Sequence, residues 1–283
     1  MAAAGWKTSR RNLGLDGKTL VMAILNVTPD SFSDGGKFAD LNSALERAEK
    51  LVAEGADVID IGGESTRPGS RRIPAGEEIE RVIPVIEAIT KRFDIPVSID
   101  TSKSEVAEAA VHAGAEIIND ISGLRFDPDI AAVAAKHKTG LVLMHSRGEF
   151  ETMHTQPTVK DIIADVAADF RRSLTAAQNA SVRPESIALD IGIGFGKTLD
   201  QNLELLAKLD KLVLEFEQFP ILVGTSRKSF IGKLLNEAPP AERLHGSLAS
   251  IAIAVWNGAK IIRVHDVKEN VQSLRMTEAI LKG

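Results

Sequence analysis

Three segments of this chain share one pattern. Gly55-Ala56-Asp57-Val58-Ile59-Asp60, Gly114-Ala115-Glu116-Ile117-Ile118-Asn119 and Gly258-Ala259-Lys260-Ile261-Ile262-Arg263 each follow a helical stretch and open a short apolar run. Glycine accepts positive φ without strain, which suits it to end a helix. An apolar run without alternation is what a strand buried on both faces looks like. The stretches before the glycines carry the helical period: Leu41, Ala44, Leu45, Ala48, Leu51 and Val52, then Val106, Ala109, Ala110 and Ala113, then Leu244, Leu248, Ile251 and Val255. Ser102-x-x-Glu105 predicts a capping box at the start of the second.

Strand-like runs lie near 20–25, 58–61, 96–99, 116–119, 141–144, 187–190, 221–224 and 260–264, and a helical segment can be placed after each. The spacing is about 34 residues per unit, which suits a single (β/α)8 TIM barrel of the α/β class. Eight regular units favour closure over a doubly wound open sheet. The barrel is expected over residues 20–283. Residues 1–19 are expected to form an N-terminal extension, a short hairpin turning at Asp16-Gly17.

Composition narrows the function. The 283 residues are 44% hydrophobic and 26% charged with a net charge of −5, an ordinary globular balance. No uncharged apolar run reaches the length of about 18 residues that a membrane span needs. The basic stretch Met1–Arg11 is followed by no apolar core, so it does not read as a signal peptide. A cytoplasmic protein is expected. With zero cysteines there is no thiol nucleophile and no thiolate metal site. The acidic balance, with 10 Phe, 2 Trp and no Tyr, gives no reason to bind nucleic acid.

In such a barrel the site lies at the C-terminal ends of the strands. Those ends carry Asn26, the run Gly62–Arg67, Asp100, Asn119-Asp120, His145, Asp190, Ser226-Arg227-Lys228 and Arg263-x-His265-Asp266. Helix caps account for some of these, but polar groups at all eight ends exceed what capping needs. Asp100, Asn119 and Asp190 are acceptors that suit a ligand rich in N–H donors, such as an aminopyrimidine ring. Arg67, Lys228, Arg263 and His265 are read as cations for a phosphate or diphosphate. Gly192-Ile-Gly194-Phe-Gly196-Lys197-Thr198 has neither P-loop nor G-x-G-x-x-G spacing. The polar loop from Asn26 to Gly36, with Phe32 at its centre, reads as a lid hinged at Gly35-Gly36. The histidines show no paired ligand spacing, so a zinc site is not expected. A diphosphate would instead bring Mg²⁺, held mostly by phosphate and water with one oxygen ligand such as Asn26.

Eight motifs together are more specific. They are Leu25-Asn-Val-Thr-Pro-Asp-Ser-Phe-Ser-Asp-Gly-Gly36, Asp60-Ile-Gly-Gly-Glu-Ser-Thr-Arg-Pro-Gly69, Val97-Ser-Ile-Asp-Thr-x-Lys103, Ile117-Ile-Asn-Asp120, Leu143-Met-His145, Gly192-Ile-Gly-Phe-Gly-Lys197, Ser226-Arg-Lys-Ser-Phe-Ile-Gly232 and Arg263-Val-His-Asp266. On these residues the chain resembles the bacterial dihydropteroate synthases, pterin-binding barrels, over residues 18–282. The resemblance implies condensation of 6-hydroxymethyl-7,8-dihydropterin diphosphate with p-aminobenzoate, giving dihydropteroate and diphosphate in folate synthesis. It implies that Asn26 helps hold Mg²⁺ and diphosphate, with Thr66, Arg67, Arg263 and His265 completing the anion site. Asp100, Asn119, Met144, Asp190 and Lys228 would line the pterin slot. Phe32, Thr66, Pro68, Phe195, Ser226 and Lys228 would surround p-aminobenzoate, the pocket that sulfonamides imitate. A homodimer is implied, with the late helices as its surface.

No residue pairs with a base as an acyl-transfer nucleophile would. Dissociative loss of diphosphate is expected instead, with Asp100, Asp190, Lys228, Arg263 and His265 supplying electrostatic help. The family has Asp-Pro-Gly where this chain has Asp190-Ile191-Gly192, and Ile191 is expected to loosen that turn. Two other readings are a pterin-dependent methyltransferase domain and a pterin-binding barrel without turnover.

Overall fold

The computed structural model describes residues 3–28, 36–67 and 69–283. The barrel strands are β3 (Leu20–Asn26), β4 (Val58–Gly62), β5 (Val97–Asp100), β6 (Ile117–Asp120), β7 (Gly140–Met144), β8 (Ile187–Asp190), β9 (Ile221–Val223) and β10 (Ile261–Val264). Each pairs in parallel with its sequence neighbour, and β10 returns to pair with β3 through Ile261↔Leu20, Ile262↔Val21, Arg263↔Met22 and Val264↔Ala23. That last ladder closes the sheet and removes both edges.

The helices are α1 (Gly36–Ala53), α2 (Ala75–Arg92), α3 (Ser104–His112), α4 (Ile130–His137), α5 (Ile162–Asn179), α6 (Leu199–Ala207), α7 (Leu209–Glu215), α8 (Ser229–Leu234), α9 (Leu244–Trp256) and α10 (Val267–Lys282). The even one-to-one alternation fails twice, since α6 and α7 both follow β8, and α8 and α9 both follow β9. The repeated Gly-Ala pairs end helices as expected. Gly55, Gly114 and Gly258 have φ of 101°, 112° and 103°. The following alanine N–H reaches back to the helix, as in Ala56 N to Leu51 O at 3.1 Å and Ala115 N to Ala110 O at 2.9 Å. The expected capping box at Ser102 does not form. Lys103 is the N-cap residue of α3 but its side chain does not cap the helix, and Asp127, from the loop before α4, accepts from Ser104 N at 2.6 Å. A long-range carboxylate took the place of the local one.

Side chains alternate across each strand. One set faces the helices, for example Val21, Ala23, Leu25, Ile59 and Ile61, and belongs to the large core. The other set faces inward. Leu20, Met22, Val58, Ile117, Val142, Ala188, Leu222 and Ile261 form one buried cluster, the floor of the barrel. Trp6 plugs that floor from outside the barrel. It lies on β1 (Gly5–Lys7), which pairs antiparallel with β2 (Asn12–Gly14). It is fully buried, and its indole N–H donates to Ser186 O at 2.8 Å. The hairpin turns at Thr8–Arg11, not at Asp16-Gly17, which instead forms the turn leading into β3. Thr8 decides the turn because its hydroxyl accepts from Arg11 N at 3.0 Å and donates to Glu116 at 2.7 Å. Among the described residues no helix is long and apolar enough to cross a membrane.

Removing the plug tests this description. Trp6→Ala empties the floor and strips Ser186 O of its donor, so urea unfolding should show a loss of about 3–5 kcal/mol.

Candidate active site

Counting two residues up each strand from the floor reaches the next inward layer. From Met22, Val58, Ser98, Ile117, Val142, Ala188, Leu222 and Ile261 the count gives Ile24, Asp60, Asp100, Asn119, Met144, Asp190, Gly224 and Arg263. The polar strand ends thus divide by parity. His145, one residue past Met144, falls on the outward side and pairs with Asp165 of α5 at 3.2 Å. Burial and the Lys197 charge hold the His145 pKa down to about 4. Asp120 is also outward, and it accepts from Ser122 N at 2.8 Å and Leu124 N at 2.5 Å. Arg227 and Asp266 pair with each other. These four residues hold loops, and none lines the pocket.

One pocket at the C-terminal end of the barrel is lined by Thr66, Asp100, Asn119, Met144, Asp190, Phe195, Ser226, Lys228, Arg263 and His265, together with Ile24, Ile121 and Gly224. Ten residues expected at the site therefore meet in one place. Asn26 stands at its edge. It pairs in register with Gly62, and Gly62 with Asp100, so the three are consecutive around the barrel. Arg67 is exposed on the loop above and is not among the lining residues. Phe32 and Pro68 lie outside the described residues, as does most of the proposed lid.

The charges do not separate into an acceptor group and a cation group. Arg263 donates from Nε to Asp60 at 2.6 Å and from Nη2 to Asp100 at 2.5 Å. Asp60 also accepts from Asn119 Nδ2 at 3.1 Å, and its other oxygen is buried with no partner among the described residues. Two carboxylates thus share one guanidinium. Burial works against the Arg263 charge, but Asp60 and Asp100 more than offset it, and its pKa lies above the ordinary arginine value. Burial pushes the Asp100 carboxyl up to about 7, against the pull of Arg263 and helped by the Asp60 charge.

Across the pocket, Asp190 accepts from Gly192 N at 2.8 Å. Burial raises its pKa, opposed chiefly by Lys228. Lys228 donates to Ile193 O and lies 4.8 Å over the Phe195 ring. Burial lowers its pKa to about 8. Gly192 sits at φ 62°, and a Cβ there would lie 1.9 Å from His145 O. Ile191, which follows Asp190, places its side chain fully buried in the main core.

His265 differs from the cation expected of it. Burial, then Arg263 and Arg227, hold its pKa down to about 3, so the ring is neutral. Ser226 Oγ accepts from His265 N at 3.2 Å and lies 3.0 Å from Nδ1. Either the Ser226 hydroxyl or a protonated Nδ1 can donate in that contact. The residue offers the pocket a neutral imidazole instead of a charge.

Above the pocket, the β4–α2 loop carrying Thr66 rests on a buried ion cluster. Lys103 Nζ meets Glu64 at 2.9 Å and Glu78 at 2.5 Å, and Glu64 accepts from Ile73 N at 2.6 Å. His154 bonds Thr66 O at 2.8 Å and stacks on Phe195 with centroids 5.3 Å apart. Sequence reasoning gave no role to Asp60, Lys103 or His154. The floor count would have found Asp60. Nothing local marks His154.

The chain matches the model of the pterin binding enzyme family over residues 22–265. The dihydropteroate synthase of Escherichia coli is 49% identical over 265 residues, 93% of this chain and 92% of its own length. The chain belongs to the dihydropteroate synthase family. Two solved family structures superpose closely. That of Yersinia pestis, with a sulfonamide drug complex, has TM-score 0.91 at 44% identity and covers 99% of this chain and all of its own. That of Xanthomonas albilineans, with 4-aminobenzoic acid, has TM-score 0.92 at 40% identity and covers 99% of each chain.

In this dihydropteroate synthase family member the Asp60–Arg263 pair can be tested without substrate. Asp60→Ala leaves a buried guanidinium with one carboxylate fewer and should cost about 3 kcal/mol in chemical denaturation. Adding Arg263→Met should restore part of that loss.

Proposed function

We propose that the pocket takes 6-hydroxymethyl-7,8-dihydropterin diphosphate and p-aminobenzoate and joins them with loss of diphosphate. The observation that carries this reading is the convergence of ionisable acceptors, amide and cations at one barrel end, where Asp100, Asn119, Asp190, Lys228 and Arg263 line a single pocket. Asp100, Asn119 and Asp190 accept from the donor edge of the pterin, with Met144 as an apolar wall and Lys228 donating beside Asp190. Arg263, already bonded to Asp100, keeps Nη1 for the diphosphate, joined by the neutral imidazole of His265, by Thr66 and by Arg67. Phe195, Ser226, Thr66 and Lys228 seat p-aminobenzoate, together with Phe32 and Pro68.

Asn26 fits a Mg²⁺ site. Its side-chain oxygen holds no donor among the described residues, while Asp60 and Asp100 are committed to Arg263. One neutral oxygen beside phosphate oxygens and water suits this ion. Bound there, Mg²⁺ would neutralise charge on the departing diphosphate. The carboxylates of Asp100 and Asp190 offset positive charge on the pterin as the C–O bond breaks. The arylamine, held against Phe195, then attacks the methylene carbon and gives up its proton to water. The reading includes a cytoplasmic homodimer built on adjacent helices α9 and α10, which expose Ile253, Trp256, Met276 and Ile280.

The direct test is release of diphosphate by the purified chain with Mg²⁺. Formation of dihydropteroate should require both substrates and accompany diphosphate release. Diphosphate release with both substrates present but no dihydropteroate formed, or methyl transfer instead, would reject the reading.

A second test uses pH. Asp100 has its pKa raised to about 7, so it is ionised above that value and protonated below it. Protonation removes charge and acceptor capacity. Affinity for 6-hydroxymethylpterin, which carries no phosphate, should therefore fall as pH drops through about 7. Asp100→Asn should flatten that dependence in calorimetric titration. A pH-independent affinity in the unsubstituted chain would remove Asp100 from the pterin contact.

A further inference from the structure

We propose that Glu108, His112 and His137 bind a divalent transition-metal ion, with Zn²⁺ the best match, at the barrel end opposite the candidate active site. Glu108 and His112 stand one turn apart in the last two turns of α3, and His137 ends α4. Both helices lead from here into the starts of β6 and β7. The site is therefore on the floor side, away from the strand ends that line the pocket.

The geometry is close to that of a ligand set. His112 Nε2 lies 3.1 Å from Glu108 Oε1, and His137 Nε2 lies 3.0 Å from both Glu108 oxygens. One donor atom from each residue lies within 4.8 Å of the other two. Tetrahedral zinc with bonds near 2.0–2.2 Å places its ligand atoms about 3.3–3.6 Å apart. The glutamate-to-imidazole distances already approach that value, and only modest side-chain rotation is needed to converge the rest. Helix spacing fixes the first two ligands on one face. The edge-on arrangement of the two imidazoles, with centroids 5.1 Å apart, keeps their planes from stacking face to face.

Two imidazoles and a carboxylate favour zinc and its neighbours over Mg²⁺, which prefers oxygen. Water would complete the tetrahedron. The present occupant of the same carboxylate is Lys136, whose Nζ lies 2.6 Å from Glu108 Oε1. That lysine is 65% exposed, so it can swing into solvent and make room for the ion. Metal binding would then clip α3 to α4.

The experiment uses tag-free, chelator-stripped full-length chain without substrates. Calorimetric titration with ZnCl2 and thermal unfolding with and without Zn²⁺ are measured for the natural sequence, His112→Ala, His137→Ala and Glu108→Gln. A His265→Ala variant controls for zinc at the other end of the barrel. The proposal expects a binding event that raises Tm, survives His265→Ala and excess Mg²⁺, and weakens at least about tenfold in each variant of the cluster. His112 is 66% exposed, so its replacement leaves the fold intact. Absence of a Zn²⁺-binding event in the natural sequence, or an affinity in both histidine variants equal to that of the natural sequence, overturns the proposal.

Discussion

Closure of the sheet by β10 on β3 is the constraint on which everything else depends. A closed barrel has no room for choice about which side chains face inward. Every second side chain of each strand faces inward, and the alternation that puts Met22 and Ile261 in the floor also puts Ile24 and Arg263 above them. The floor is apolar and plugged by Trp6. The layer above it is not, and its charges have to be satisfied by one another.

Arg263 answers that requirement. A guanidinium in this position would be costly alone, and two carboxylates beside each other would be costly without it. The guanidinium between Asp60 and Asp100 makes both tolerable, but leaves one surplus negative charge, which is why burial can lift Asp100 so far. On the other side of the pocket Asp190 and Lys228 repeat the arrangement at greater separation. The site is polarised before any ligand arrives. In our reading that preorganisation serves both to hold a donor-rich ring and to meet charge as a bond breaks.

The loops over the pocket are tied by contacts of a different kind. Lys103 between Glu64 and Glu78 anchors the β4–α2 loop from beneath, and His154 reaches across from the β7–α5 loop to Thr66 and Phe195. These contacts join segments far apart in the chain. The same is true of Asp127 at the start of α3, where the local Ser102 and Glu105 were expected to cap the helix and a distant carboxylate does so instead. Short-range signals lose where a tertiary partner is better placed.

The sequence by itself determined the number and order of the strands, the helix ends at Gly55, Gly114 and Gly258, and the family, because each rests on local backbone preference, apolar periodicity or contiguous motifs. It also identified most of the residues that share the pocket, since barrel architecture sends strand ends to one place. Tertiary structure decided what those residues do to one another. That Arg263 is bound to Asp60, that His265 is neutral, and that His145 and Asp120 face away depends on distances and burial that spacing does not encode. The meeting of His112 with His137 belongs to the same class: the two lie 25 residues apart in sequence, and only the packing of α3 beside α4 makes them neighbours.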